Sequence, residues 1–214
     1  AAGGAGLAAV ESAKLMGDLT VSRLAEDRFW LVGSYYLQAW HMRWFAEHLP
    51  ASGVVIDNLS DRWMGFALSG PHARTLLSRV TAEDVSATAL PCRACREMRV
   101  AGAKALVARL SLTGELGYEI NVPAGHQLAL YRTLSEAGRD LGLMNIGNRA
   151  LDSLRLEKSY GIWSLEYAAS YTPAMSGLDR FVHLNKGEFI GREALVLQQQ
   201  QGVPRKFVTI EVDA

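Results

Sequence analysis

The apolar residues of this chain follow a two-residue period in some segments and a helical period in others. Alternation predicts two short strands within residues 18–34, joined by a polar turn at 25–28. An apolar stripe at helical spacing predicts a helix over 37–49. Residues 63–80 predict a strand that ends at Gly70 and leads into a helix.

The second half of the chain continues this mixture. A strand is predicted at 105–112, helices at 125–142, 147–161 and 191–202, and a final strand at 205–214. The stripe of the helix over 125–142 predicts three inward-facing residues, Leu128, Tyr131 and Leu134. Because strands and helices do not alternate strictly, we predict an α+β fold of antiparallel sheets with packed helices.

Composition narrows the classes of function. The chain has 214 residues, 49% hydrophobic and 21% charged, and its formal net charge is zero. These values fit one globular domain with a smaller appendage, and give no reason to expect nucleic acid or a membrane surface as partner. No apolar run approaches the ~20 residues of a membrane helix. Two cysteines are too few for a secreted disulfide scaffold, so we expect a reducing compartment.

Both ends of the sequence look cut, and the first could equally be the remnant of a tag or the interior of a longer chain. Residues 1–17 begin without Met and lack the charged-then-apolar order of a signal peptide. At the other end, a strand over 205–214 needs a partner strand that the sequence does not supply. We therefore expect truncation at both ends.

The familiar motifs for metals, nucleophiles and nucleotides are incomplete. The pair Cys92 and Cys95 has spacing suited to zinc or redox chemistry, but zinc needs two further ligands and a thioredoxin-type pair begins a helix. We therefore expect two bystander thiols and no metal site. The five histidines are scattered, and none accompanies a nucleophile motif. No glycine-rich loop opens a helix after a strand, so no flavin or nicotinamide site is predicted here.

The stretch SLTGELGYEI (111–120) holds a more informative carboxylate. If Tyr118 and Ile120 face the core, Glu119 projects from the other face beside Gly117, where no side chain crowds its approach. A carboxylate there can accept two parallel hydrogen bonds from a planar N–H/NH2 edge, as on a guanidinium or a pterin. A solvated glutamate explains the pattern equally and is the commoner case for strand acids. Glu115, in the turn, is expected to be solvated, and Asp18 reads as a turn residue that opens a strand.

An ordered set of motifs resembles one family. LTGELGYEI, ALDSLRLEKSYGIW, YTPAMSGLDRFVHLNKGEFIGREAL and ALSGPHARTLL are similar to segments of the folate-binding domain of the aminomethyltransferase (glycine-cleavage T-protein) family. The version at the C-terminal end of dimethylglycine and sarcosine dehydrogenases is the most similar. The resemblance implies a multi-lobed α+β fold over residues 1–202, with 203–214 as the first strand of a C-terminal barrel.

The resemblance also implies an activity. Members of this family bind tetrahydrofolate and capture a one-carbon unit from an N-methyl amine as 5,10-methylenetetrahydrofolate. In the oxidising members, a separate FAD-containing dehydrogenase domain or subunit makes that unit, in the bacterial cytoplasm or the mitochondrial matrix. By position, Asp18 matches the catalytic aspartate and Glu119 the glutamate that holds the pterin edge. Tyr118, Tyr160 and Trp163 are expected to line the folate site.

Three positions depart from the family pattern. Leu112 replaces a tyrosine, Met175 a glutamate and Ser164 a glycine. An alternative hypothesis is therefore a non-catalytic structural subunit or domain of a sarcosine oxidase or dehydrogenase complex that has lost folate binding. A stand-alone aminomethyl- or methyltransferase is a third.

Overall fold

The computed structural model describes residues 3–9 and 12–212, which form seven strands and five α-helices. The strands are β1 (Gly3–Ala9), β2 (Leu15–Arg23), β3 (Phe29–Gly33), β4 (Trp63–Ser69), β5 (Cys95–Val100), β6 (Ala103–Ala108) and β7 (Gly117–Pro123). The helices are α1 (Gln38–His48), α2 (Ala73–Arg79), α3 (Gln127–Ala137), α4 (Asn148–Leu156) and α5 (Arg192–Gln201). The predicted α+β class is confirmed.

The described chain divides into two compact units. The first contains residues 3–4, Ser22–Trp30 and Val55–Tyr160, and the second contains residues 5–9, 12–21, Leu31–Val54 and 161–212. No helix in the described part of the chain is both long enough and apolar enough to cross a bilayer.

The first unit is built on an antiparallel sheet with strand order β4-β7-β6-β5. β4 pairs with β7 along its whole length, from Trp63 opposite Pro123 to Ser69 opposite Gly117. β5 and β6 form a hairpin whose two turn residues, Ala101 and Gly102, both have positive φ, as in the turns that match strand twist. β5 was not predicted from the sequence.

Helices α2 and α3 cover one face of this sheet. β7 contributes three fully buried side chains to the core, those of Tyr118, Ile120 and Val122. Leu76 and Leu77 of α2 pack against them.

The predicted inward face of α3 was partly wrong. Leu134 is buried, but its partner one turn earlier is Leu130, whereas Leu128 is 58% exposed. Leu128 lies two residues from Leu130, on the opposite side of a helix with 3.6 residues per turn. Tyr131 lies on the flank, where its ring stacks on Phe66 at 6.3 Å.

The other face of the sheet is partly covered by the Ser22–Trp30 hairpin, whose turn was predicted at 25–28. Cys95, Leu106 and Ala108 are buried there, with Leu24, Trp30, Trp63 and Leu110 packed around them. An ion pair joins this hairpin to β5, with 3.1 Å between Nη2 of Arg28 and Oε1 of Glu97.

α4 ends the first unit and carries a buried arginine. Arg155 is 1% exposed, and its Nε donates to Asp152 at 2.9 Å. Its Nη1 donates to the carbonyl of Tyr160 at 2.8 Å, so the guanidinium fixes the chain that leaves the helix.

The second unit contains α1, α5 and the larger parts of β2 and β3. Leu15 donates its N–H to the carbonyl of Tyr171 at 2.9 Å, and the Trp40 indole donates to the carbonyl of Met16 at 2.9 Å. Helices α1 and α5 were predicted, and α5 ends before Gly202 as expected.

The strand predicted at 205–214 does not form in its described residues, 205–212. Phe207 donates its N–H to the carbonyl of Met175 at 2.7 Å, but no described strand pairs with this segment. Alternation alone cannot make a strand, because the ladder needs a neighbour. Val208 and Ile210 are accordingly 67% and 77% exposed.

Candidate functional site

Glu119 lies on the face of β7 opposite the one that packs against α2 and α3. Because successive side chains of a strand point to opposite faces, burial of Tyr118 and Ile120 directs Glu119 and Asn121 to the other side. This orientation was predicted from the alternation in the sequence. It places a carboxyl group on the face that carries the Ser22–Trp30 hairpin.

Small residues surround Glu119 on this face. Its cross-strand neighbours are Ala67 on β4 and Ala108 on β6, and Gly65 lies opposite Asn121. We call the surface formed by Gly65, Ala67, Ala108, Glu119 and Asn121 the Glu119 platform. Gly65 and Ala67 are exposed, so the platform is a shallow surface without bulky side chains on its β4 side.

The expected open approach beside Gly117 is not present. Gly117 is buried, and a Cβ atom there would lie 2.7 Å from Cβ of Ser111 and 2.9 Å from Oγ of Ser69. The two serine hydroxyls are 3.3 Å apart. Small size at position 117 therefore makes room for this serine pair, and the open side of Glu119 is the one toward Ala67 and Gly65.

The carboxyl group of Glu119 is partly withdrawn from water without a compensating charge. Burial raises the pKa of Glu119 above its ordinary value. Among the described residues, Glu119 has no hydrogen bond or ion pair through its side chain. A desolvated, unpaired carboxylate gains most from a ligand that brings its own N–H donors.

Two tryptophans border the platform beyond Asn121. Trp63 lies on the same face as Gly65, two residues earlier on β4, and its ring meets that of Trp30 edge-on at 5.1 Å. The indole Nε1 of Trp30 is buried and has no hydrogen-bond partner in the described chain. Sequence reasoning missed both rings, because Trp30 reaches this sheet only through the hairpin.

The other predicted lining residues of the first unit lie elsewhere. Tyr118 is fully buried on the opposite face, where its hydroxyl accepts a hydrogen bond from Nε of Arg74 at 3.2 Å. The structure therefore does not bring Tyr118 to the side of Glu119. Tyr160 is 39% exposed and follows α4. Glu115, expected to be solvated, is exposed and 3.8 Å from Lys158.

Asp18 belongs to the second unit, on β2. The ring of His41 packs against the neighbouring Gly17, where a Cβ atom would lie 2.2 Å from Nε2. Gly33 on β3 borders the same ring, with its Cβ position 3.3 Å from Nδ1. His41 is 6% exposed, and its Nε2 has no hydrogen-bond partner in the described residues.

Burial dominates the ionisation of this pair. It raises the pKa of Asp18, against the opposing effects of a hydrogen bond from its own backbone and of the charge of His41. Burial also lowers the pKa of His41, which the charge of Asp18 opposes. Asp18 is thus a carboxylate that holds a proton more readily than an exposed aspartate does.

Tyr167 is a neighbour of Asp18 that the sequence did not reveal. Burial raises the pKa of Tyr167, a hydrogen bond with the backbone of Gly161 lowers it, and the charge of Asp18 raises it again. The phenol ring packs directly on Gly161, where a Cβ atom would be 2.5 Å from Cζ. Trp163, predicted to line the site, is half-buried and forms a backbone bridge with Tyr167.

The second unit also contains a half-open cavity of about 280 Å³. It is lined by Leu165, Glu166, Tyr171, Met175, Ser176, Arg205, Lys206 and Phe207. Neither Asp18 nor Trp163 contributes to its walls, but Met175, one of the three departures from the family pattern, does.

The cysteines differ in their surroundings. Cys92 is exposed in a loop, whereas Cys95 is buried at the start of β5 and both thiols are free. Burial raises the pKa of Cys95, although a hydrogen bond with Ser22 lowers it. Within residues 3–9 and 12–212, no group of three or more His, Cys, Asp and Glu side chains is placed to hold a metal ion.

Comparison with known proteins supports the resemblance seen in the motifs. The family model of the GCVT N-terminal domain matches residues 6–186. The aminomethyltransferase of Caldanaerobacter subterraneus subsp. tengcongensis is 34% identical over 195 residues, which are 91% of this chain and 52% of that protein. The mitochondrial dimethylglycine dehydrogenase of Homo sapiens is 32% identical over 200 residues, 92% of this chain and 23% of that enzyme.

A solved structure agrees with these relatives. The glycine cleavage system aminomethyltransferase T from Bartonella henselae matches with a TM-score of 0.83 at 26% identity, over 94% of this chain and 54% of that one. The chain spans about half the length of these aminomethyltransferases. The family model and the relatives cover most of its residues, and the chain therefore belongs to the glycine-cleavage T-protein (GCVT) family.

Proposed function

We propose that this chain is the folate domain of a dimethylglycine or sarcosine dehydrogenase-type protein. It transfers the methyl-derived carbon of the amine to tetrahydrofolate, giving 5,10-methylenetetrahydrofolate. The observation that carries this proposal is Glu119, a desolvated carboxyl group without a charged partner in the described chain, on a surface of small residues. Family membership makes a folate the ligand of choice for that group.

The Glu119 platform fits the pterin ring of tetrahydrofolate. A pterin is flat and presents adjacent N–H and NH2 donors, which match the two oxygens of one carboxylate. Ala67 and Gly65 leave space for a flat ring beside Glu119. Trp63 and Trp30 offer apolar surface next to the platform, as ligand sites commonly do.

Asp18 is the proposed catalytic carboxylate. Tetrahydrofolate, when bound, supplies the nitrogen nucleophiles that combine with the one-carbon unit. An ionised Asp18 accepts the proton that such a nitrogen loses, and its raised pKa brings it closer to the range where a carboxylate does this well. Its negative charge also stabilises a cationic one-carbon donor before transfer.

His41 and Tyr167 set the electrostatic surroundings of Asp18. A protonated His41 lowers the pKa of Asp18, whereas Tyr167 adds a phenol whose own ionisation Asp18 opposes. Trp163 and Tyr160 remain proposed lining residues.

The partner proposed for this chain is a flavin-containing dehydrogenase domain or subunit. The chain matches 23% of the dimethylglycine dehydrogenase of Homo sapiens, which leaves the oxidation of the amine to other parts of such a protein. We place the protein in the bacterial cytoplasm or the mitochondrial matrix. Residues 203–214 remain proposed as the first strand of a C-terminal barrel, which would supply the ladder partner that 205–212 lack here.

Titration with tetrahydrofolate tests the anchoring role of Glu119. We expect Glu119→Gln to weaken binding by about 10- to 100-fold, since charge-assisted hydrogen bonds are lost. Glu115→Gln is the matched control, because it removes an exposed carboxylate four residues earlier, in the turn before β7. Equal binding by wild type and Glu119→Gln would remove Glu119 from the site.

A second measurement separates binding from chemistry. Asp18→Asn should retain tetrahydrofolate binding and lose most of the one-carbon transfer measured with the full natural protein and its amine substrate. The alternative, a structural domain without folate, is favoured by Leu112, which is 41% exposed where the family has a tyrosine. Failure of the wild-type protein to bind tetrahydrofolate would establish that alternative.

A further inference from the structure

Asn121 shares the Glu119 platform but was not singled out by sequence. It follows Glu119 by two residues on β7, so both side chains lie on the same face of the strand. Its cross-strand neighbours are Gly65 on β4 and Leu106 on β6. Along the face, Asn121 therefore lies between Glu119 and Trp63.

The amide of Asn121 is half-buried and has no hydrogen bond to another described residue through its side chain. Its Oδ1 lies over Gly65, where a Cβ atom would approach it to 2.8 Å. A glycine at this point leaves the amide room to rotate. Such an amide, beside an unpaired carboxyl group, has both a donor and an acceptor available to a ligand.

We propose that Asn121 is a second ligand-contacting residue, which recognises the ring edge next to the one held by Glu119. The inference rests on the proposed function and extends it to the ligand's specificity. In a 2-amino-4-oxo pteridine ring, the adjacent N–H and NH2 donors are flanked by an acceptor on each side, the ring nitrogen N1 and the 4-oxo oxygen. The NH2 group of Asn121 donates to one of these acceptors while Glu119 accepts from the donor pair.

Two neighbouring side chains on one strand face, a carboxylate and an amide, can contact adjacent groups on the edge of one ring. A carboxylate alone selects any planar pair of donors, including a guanidinium. An added amide donor selects rings in which an acceptor follows that pair, so a guanidinium is disfavoured because it has no acceptor. The platform then distinguishes a neutral oxo-pteridine from a planar cation such as a guanidinium.

Binding to two probes tests this role in the full natural chain. The probes are tetrahydrofolate and 6-methyltetrahydropterin, which has the ring without the tail. Asn121→Leu keeps the volume and removes both hydrogen-bonding groups, and Asn121→Asp keeps the shape but removes the donor when ionised. We expect each variant to bind both probes about tenfold more weakly, as for the loss of one hydrogen bond.

Controls distinguish recognition from packing. Asn185→Leu changes an exposed asparagine of the second unit and should leave binding unchanged. A merely structural role would lower thermal stability in Asn121→Asp, whereas a contact role leaves the melting temperature unchanged and weakens binding of the ring probe. The Glu119→Gln/Asn121→Leu double variant should lose less than the product of the single effects, because both contacts serve one ring.

The outcomes separate this inference from the proposed function. If Glu119→Gln loses binding while both Asn121 variants bind like wild type, Asn121 is not a contact and the proposed function stands. If the wild-type protein binds neither probe, the proposed function and this inference both fail. Parallel tenfold losses for tetrahydrofolate and the ring probe support the assignment.

Discussion

On one face of the β4-β7-β6-β5 sheet, Tyr118, Ile120 and Val122 are fully buried beneath α2 and α3. On the other face, the same strand presents Glu119 and Asn121 among small residues, with polar groups that no described side chain satisfies. Because side chains alternate between the two faces, the two faces of β7 contribute differently to stability. The closed face supplies the apolar burial that stabilises the unit, and the open face holds groups whose desolvation opposes folding.

The largest change in stability is expected for a substitution on the face of β7 that packs against α2 and α3. Ile120→Ala should lower the free energy of unfolding by about 2–5 kcal/mol, because it removes buried methyl groups and leaves a cavity. Asn121→Ala, one residue away on the other face, should change it by less than about 0.5 kcal/mol. Urea denaturation measures both, and equal losses would show that the two faces contribute alike to stability.

The next effect concerns the two glycines of the open face. Gly117→Ala should cost about 1–3 kcal/mol, since its Cβ would meet Cβ of Ser111 at 2.7 Å and the carbonyl of Leu110 at 3.0 Å. Gly65→Ala meets only the end of the Asn121 side chain at 2.8 Å, which can rotate away. We expect that variant to be within about 0.5 kcal/mol of wild type in thermal denaturation.

A pH series with Glu119→Gln addresses the charge on the open face. Burial raises the folded-state pKa of Glu119 above its unfolded value, so the folded state binds that proton more tightly. The stabilisation it gives is complete below the unfolded pKa and is lost as pH rises through the folded pKa. Relative to wild type, the variant should therefore gain stability as the pH rises above the ordinary pKa of a glutamate. A constant difference across this range would mean that Glu119 titrates normally.

The smallest effect is on thiol reactivity under the hairpin. Cys92 is exposed, whereas Cys95 is buried between Ser22 and the sheet and has a raised pKa. One thiol of the native protein should react quickly with a disulfide reagent, and the second only after unfolding. Cys92→Ser should abolish the fast phase without changing stability. Rapid reaction of both thiols would show that the hairpin does not close its part of the open face.

The sequence predicted those features that depend on local periodicity. The hairpin within 18–34, the helices α1 to α5 and the two-faced character of β7 all follow from residues that are close together in the chain. The two-residue alternation of β7 was also enough to predict that Glu119 lies on the face opposite Tyr118 and Ile120. Family motifs then distinguished it from Glu115, which lies four residues earlier and pairs with Lys158.

The features that could not be predicted from the sequence depend on contacts between segments that are distant in the chain. Gly117 suggested an open approach, but Ser69, 48 residues earlier, fills that space. The exposed Leu128 was misjudged because the phase of α3 is set by its packing against α2. Trp30 and Tyr167 reach their places only through tertiary structure, and residues 205–212 have no partner strand in the described part of the chain.

The ring of His41, set between Gly17 and Gly33, has a consequence for how sequence variation at this site is interpreted. A single-site mutational scan would score Gly17 as intolerant of every side chain, because each new Cβ collides with the same imidazole. The collision belongs to the pair, whereas the positive φ of +155° at Gly17 is a backbone strain of the position itself. Shortening residue 41 would therefore relieve the collision and leave the backbone strain, so we expect glycine to be kept at position 17 even where residue 41 is small.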